Sequence, residues 1–218
     1  MLMIITIMFI VSTGCTTEIE KDNCSLAERY EQARLAAEQG DVEAQVKLGL
    51  MYHDGEGIPQ DYKQAVYWYH LAAEQGLAMA QHNLGYMYRY GLGVTQDYKQ
   101  ALYWFYLAAK QGAAMAQFHL GYMYRNGLGV PQDYEQAVYW YRLAAEQGVA
   151  IAQFNLGHKY IQGLGVSQDY KQAIYWYRLA AEQGHVSAQS NLGYMYWHGL
   201  GVPQDYEQAE YWLRLAEE

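Results

Sequence analysis

The sequence predicts an all-α solenoid: a helix-turn-helix unit of 36 residues written five times. Three observations carry this. Leu-Gly pairs end at Gly49, Gly85, Gly121, Gly157 and Gly193. Trp68, Trp104, Trp140, Trp176 and Trp212 keep the same spacing, as do Asp-Tyr pairs beginning at Asp61, Asp97, Asp133, Asp169 and Asp205. A fixed period of this size marks units that bury their apolar faces only against their neighbours. Two ordinary globular domains are thereby excluded.

Residues 1–14 read as a signal peptide. Met1 to Val11 is apolar apart from Thr6, and a bilayer span needs about 20 residues. Ser12, Thr13, Gly14 and Cys15 follow, which resembles a bacterial lipobox and makes Cys15 the candidate lipidation site. The chain is then expected to be exported, as an outer-membrane or periplasmic lipoprotein held by Cys15, or secreted. Residues 15–25 are polar and acidic and read as a tether. Residues 26–40 (LAERYEQARLAAEQG) look like a lone second helix without its aromatics, a cap for the stack.

The five units run 41–76, 77–112, 113–148, 149–184 and 185–218. In the second, Ala80, Leu84 and Tyr88 recur four apart and share one helix face. Gly91 ends that helix, since a glycine accepts the left-handed conformation of such ends. A GLGVTQ loop follows. Asp97 is placed to cap the second helix, with Gln100 completing a capping-box-like pair. Ala101, Trp104 and Ala108 form the buried stripe, and Gly112 stops the helix. The repeated Trp and Tyr read mostly as packing. In the last unit Glu210 replaces Val66, Leu102, Val138 and Ile174, which suits a face with no further neighbour.

The formal charge is −9, which argues against nucleic acid and anionic lipid as main partners. An apolar fraction of 52% excludes wholesale disorder. Two cysteines make neither a disulfide scaffold nor a four-Cys zinc site. No S-x-x-K, H-E-x-x-H, G-x-S-x-G, P-loop or C-x-x-C occurs. The GLGV loop joins two helices and lacks the third glycine of a dinucleotide loop, so it reads as a connector. The seven His fall at seven different places in the unit, whereas a repeated metal site would recur. No catalytic residue, metal or cofactor is expected, and the chain reads as a non-enzyme.

The pattern A-Q-x-x-L-G-x-x-Y, G-x-G-V, Q-D-Y-x-Q-A-x-x-W and L-A-A-x-Q-G, over about Asp41 to Glu218, resembles the Sel-one-like repeat. That family is a relative of the tetratricopeptide repeat with a longer interhelical loop. The resemblance implies a right-handed α/α superhelix that binds other proteins, often at bacterial envelopes or host interfaces. A cysteine-rich branch is described as penicillin-binding and weakly β-lactamase-like. This chain has no cysteine inside its repeats and departs from that branch. An envelope enzyme or binder of peptidoglycan- or β-lactam-like substrates is the alternative reading.

The chain can also be compared with itself. Counting each unit from 1, positions 4, 5, 8, 9 and 12 of the first helix are Ala, Gln, Leu, Gly and Tyr in all five units. Positions 3, 6, 10, 13 and 14 vary. At about 100° per residue the two sets lie on opposite sides of the helix. The fixed side is expected to be the repeat-to-repeat core. By the resemblance, the variable side lines the concave groove: Met79, His82, Tyr86 and Arg89, then Met115, Phe118, Tyr122 and Arg125, then Phe154 and His158, then Tyr194 and Trp197. Aromatic and Arg side chains dominate protein-binding hot spots. The expected partner is a protein or peptide with apolar and acidic features. Packing between adjacent first helices is the other use such aromatics could have.

Overall fold

The repeats fold as paired helices because each half-unit carries its own stop and start. The computed structural model describes residues 25–217. The signal peptide, Cys15, Cys24 and all of the tether but Ser25 lie outside the described residues. Among the described residues there are eleven helices and no strand. They are α1 (Leu26–Glu38), α2 (Val42–Asp54), α3 (Tyr62–Glu74), α4 (Ala78–Tyr90), α5 (Tyr98–Lys110), α6 (Ala114–Asn126), α7 (Tyr134–Glu146), α8 (Ala150–Gln162), α9 (Tyr170–Glu182), α10 (Val186–His198) and α11 (Tyr206–Leu215). The even-numbered helices are the first helices of the five units, and the odd-numbered ones from α3 onward are the second. Each helix packs on the next in sequence, and the architecture is a right-handed α/α superhelix.

Each first helix ends on a left-handed glycine, with φ between 65° and 73° at Gly55, Gly91, Gly127, Gly163 and Gly199. Five residues on, a Gln side-chain amide reaches back: Gln96 Nε2 donates to the Arg89 carbonyl at 2.7 Å, and Gln60, Gln132, Gln168 and Gln204 repeat the bond. An otherwise orphaned carbonyl of the helix end is thus covered. Each second helix starts on its Asp, whose carboxylate accepts from the backbone N–H three residues on, as Asp97 does from Gln100 at 3.1 Å. The reciprocal half of the expected capping box is not formed there. The Asp97 N–H is taken by the Tyr88 carbonyl at 3.0 Å, so the Gln100 side chain has nothing to return to. The reciprocal pair occurs instead at α1, between Ser25 and Glu28.

The fixed residues form the core. Leu48, Leu84, Leu120, Leu156 and Leu192 have no exposed surface, and the five Trp are 7–8% exposed. One cluster joins Val46, Tyr69 and Ala72 of the first unit to Ala80, Leu84, Met87 and Trp104 of the second. In the first four units the fixed glycine of the first helix admits an aromatic ring from its own second helix, and in the fifth it admits Leu213. A Cβ on Gly121 would lie 2.5 Å from the Tyr141 ring.

A buried glutamine joins consecutive units. Gln81 donates to the Ala73 carbonyl at 3.2 Å and accepts from Gln111 at 2.8 Å. Gln117 and Gln153 make the same two bonds. A buried amide needs such partners, since an unpaired one costs about 1–3 kcal/mol. Replacing Gln117 by Leu is therefore expected to destabilise the protein by about 1–3 kcal/mol, read from urea unfolding, because it removes two buried hydrogen bonds, to the Ala109 carbonyl and from the Gln147 amide. Glu210 is exposed, while Val138 and Ile174 at the same place are buried.

Candidate interaction face on the first helices

The variable residues do not share one environment. Positions 3 and 14 point outward, as with Met79 (55% exposed), Met115 (44%) and Tyr90 (47%). Tyr194 (57%) and Trp197 (43%) are also open. Tyr86, Tyr122, Arg125, Phe154, His158 and His82 are half-buried. Phe118 and Arg89 are buried, which corrects their placement on an open face. The reason is geometric. Positions 6 and 13 lie on the flank of the variable arc, about 40–60° from the fixed Gly at position 9, and the unit's own second helix covers position 6 while the next repeat covers position 13. Phe118 packs its ring 6.0 Å from that of Tyr141, and Phe154 packs 5.7 Å from Tyr177.

Position 13 reaches position 7 of the next unit. Arg89 Nη1 donates to His119 Nδ1 at 2.8 Å, and Arg125 Nη1 donates to Asn155 Oδ1 at 3.0 Å. The Arg89 guanidinium also lies 4.2 Å over the Tyr122 ring. The central junctions are thus filled by arginine. At the outer junctions position 13 is His53 or Ile161, and slots open there. One, about 260 Å³, is lined by Leu50, His53, Tyr69, His82, Asn83 and Tyr86. The other, about 240 Å³, is lined by His158, Ile161, Tyr177, Asn191, Tyr194 and Met195.

Burial disfavours the charged form of four histidines of the first-helix segments, His82, His119, His158 and His185. His119 stacks 4.7 Å from Phe105 and 5.3 Å from His82. Burial first, then His82 and the Arg89 charge, lower its pKa to about 3. Burial also lowers the pKa values of His82, His158 and His185. Unfolding lets these groups take protons near pH 6.5, which the fold refuses until lower pH. Stability is therefore expected to be full above pH 6.5 and to fall as the pH drops below it. His119→Asn, the residue found at Asn83, Asn155 and Asn191, is expected to flatten part of that decline in urea-unfolding midpoints measured from pH 7.5 to 4.

The Sel1 repeat family model matches residues 42–77, 78–112, 114–149, 150–185 and 186–218. The chain belongs to the Sel1 repeat family. The solved structure of c5321, a protective antigen of uropathogenic Escherichia coli with an SLR fold, is 44% identical with a TM-score of 0.87. The match covers 88% of this chain and 41% of that one. A Sel1 repeat protein from Oxalobacter formigenes is 39% identical with a TM-score of 0.80, over 88% of this chain and 56% of that one. This chain thus spans between two-fifths and three-fifths of these relatives. The immunity protein Pa5087 of Pseudomonas aeruginosa, at 22% identity and TM-score 0.54 over 86% of this chain and 72% of its own, shares the fold alone. No curated protein matches. Sel1 solenoids serve in general as non-enzymatic scaffolds for protein–protein contacts.

Two features of these Sel1 units escape the sequence pattern. Tyr67, Tyr103, Tyr139, Tyr175 and Tyr211 are fixed in every unit yet 43–53% exposed, each with its ring 4.9–5.0 Å from the Trp that follows it. They stand on the outer side of the second helices, outside the core to which the repeated Trp and Tyr mostly belong. Lys159 is 2% exposed, at the position where the other units carry Met51, Met87, Met123 and Met195. Burial, and secondarily the Arg125 charge, lower its pKa to about 8. Lys159→Met is expected to stabilise the isolated protein at pH 7 by about 1–3 kcal/mol, since it removes a buried charge without an acidic partner. The melting temperature checks this.

Among the described residues no three His, Cys, Asp or Glu side chains gather as metal ligands. No helix there is long and apolar enough to cross a membrane.

Proposed function

We propose that this chain is an exported, non-enzymatic scaffold, tethered through lipidated Cys15, whose first-helix face forms a concave groove for a protein or peptide. One observation carries the reading: two open slots on that face, toward either end of the stack, one of them lined by exposed Tyr194, with Trp197, Met79 and Met115 exposed elsewhere on the first helices. The slots are smaller than the roughly 300–1,000 Å³ of small-molecule sites. Each suits one side chain of a partner, and the aromatics beside them suit the anchors of a protein interface. The general role of Sel1 solenoids as scaffolds supports the same reading.

The test is retention of native envelope proteins by the purified chain from residue 25 onward, wild type beside Tyr194→Ala with Trp197→Ala. Both side chains are exposed, so unfolding is expected to be unchanged within about 1 kcal/mol. Loss of retained partners at unchanged stability supports the groove. Full retention contradicts it. Hydrolysis of a chromogenic β-lactam by the wild type would contradict the non-enzymatic part.

A further inference from the structure

The arginine-filled junctions show what the open ones are shaped to hold. Arg89 and Arg125 stand at position 13 of the second and third units. Arg89 reaches the position-7 side chain of the next unit, His119, at 2.8 Å, and lays its guanidinium 4.2 Å over the position-10 ring, Tyr122. Arg125 likewise reaches position 7, at Asn155 Oδ1, over 3.0 Å. The junction of the first and second units carries the same receiving groups, Asn83 at position 7 and Tyr86 at position 10, with no arginine at position 13 to meet them. His53 stands there instead, its ring 5.4 Å from that of Tyr62 and its Nδ1 2.6 Å from Asp54 Oδ1. The slot of about 260 Å³ is the space left open, and Asn83, Tyr86 and Asp54 all line it.

Asp54 sets this slot apart. The other units have Tyr90, Asn126, Gln162 and His198 at position 14. Asp54 closes α2, where the partial negative charge of a helix end disfavours an acid. The bond to His53 uses one carboxylate oxygen and the side chain remains 59% exposed, so the second oxygen can meet an incoming donor. Asn83 Oδ1 accepts from His82 Nδ1 at 3.2 Å and has a further lone pair. Leu50 and Met87 give the slot apolar walls, which suit the stem of a long charged side chain. The surroundings carry the complementary charge: residues 41–76 hold six Asp and Glu against two Lys, a charge of −4. The matching slot between the fourth and fifth units is lined by Asn191 and Tyr194 but by no acid.

We propose that the slot between the first and second units is an arginine-recognition site, which takes an Arg side chain of a partner protein. The guanidinium lies over Tyr86, donates to Asn83 Oδ1 and pairs with Asp54. It supplies from outside what Arg89 and Arg125 supply from within at the next two junctions. Arginine is favoured over lysine because its planar fork serves a carboxylate and an amide oxygen together and stacks on a ring. The proposal rests on the groove reading for the path of the partner, and it adds a basic anchor to the apolar and acidic features expected of that partner.

The test uses a probe small enough to report on the slot alone, acetyl-arginine amide, beside its uncharged isostere acetyl-citrulline amide, with ¹⁵N-labelled protein. Acetyl-arginine amide is expected to shift the Asn83 side-chain amide saturably and to bind about fivefold or more tightly than the citrulline probe. Asp54→Asn is expected to lose that preference with unfolding unchanged. His53→Arg, which places a guanidinium where Arg89 places its own, is expected to fill the slot and abolish the shift while melting no lower than wild type. No saturable shift at Asn83, equal binding of the two probes, full preference in Asp54→Asn or intact binding in His53→Arg overturns the slot. Retention of envelope proteins then separates slot from groove. Both slot variants are expected to retain less partner than wild type, and full retention by both overturns the partner's arginine. If Tyr194→Ala with Trp197→Ala loses the partner while Asp54→Asn binds both probes as wild type does, the groove stands and the slot falls. If both slot variants lose the partner while the double variant retains it, the slot stands without the groove.

Discussion

Gly165→Ala is expected to destabilise the protein by about 4 kcal/mol or more, well beyond the usual cost of a loop substitution. Two penalties add. The residue sits at φ +75°, and a Cβ there would lie 2.1 Å from the Tyr134 carbonyl oxygen and 2.3 Å from its carbon. The left-handed conformation alone costs about 1–2 kcal/mol with a side chain. The contact is with backbone at the start of α7, so relief requires parting the third and fourth units. Gly148→Ala is the control, because that residue has φ +87° but nothing within 4 Å of where a Cβ would stand. It is expected to lose only about 1–2 kcal/mol. Urea unfolding of the pair separates backbone strain from the junction contact.

Trp140→Ala is expected to cost about 3–5 kcal/mol. Its ring, 7% exposed, fills a cluster with Phe105, Leu120 and Met123, so truncation opens a cavity spanning the second and third units. Stability in a solenoid is a sum of unit and junction terms, and loss at a central junction is expected to broaden or split the unfolding transition. Tyr139→Ala, one residue earlier and 52% exposed, is expected to stay within about 1 kcal/mol of wild type. The contrast tests whether the fixed Trp column, rather than aromatic content in general, holds the stack together.

The period makes the core legible. Leu84, Leu120 and Leu156 recur with their glycines, and every unit meets the same packing problem, so their burial follows from repetition. The Asp caps are legible for the same reason. Phe118 and Arg89 are not, because variability in a column does not by itself mean exposure. A first helix has neighbours on both flanks, and how far they cover positions 6 and 13 depends on the angle between units, which no local residue pattern states. Tyr139 and its equivalents show the converse, a fixed residue that faces water. The junction bonds of Arg89 and Arg125 span 30 residues, a separation that no single-helix periodicity displays. Lys159 does leave a trace in the sequence: one charge in a column of four methionines.

The most direct test of the central claim places a photo-crosslinking benzophenone residue at Tyr194 in one protein and at Tyr139 in another, in the native cell. Tyr194 lies on the variable first-helix face and Tyr139 on the outer side of a second helix. The account requires a discrete crosslinked partner from Tyr194 and none from Tyr139. A partner captured through Tyr139 while Tyr194 captures nothing would contradict it.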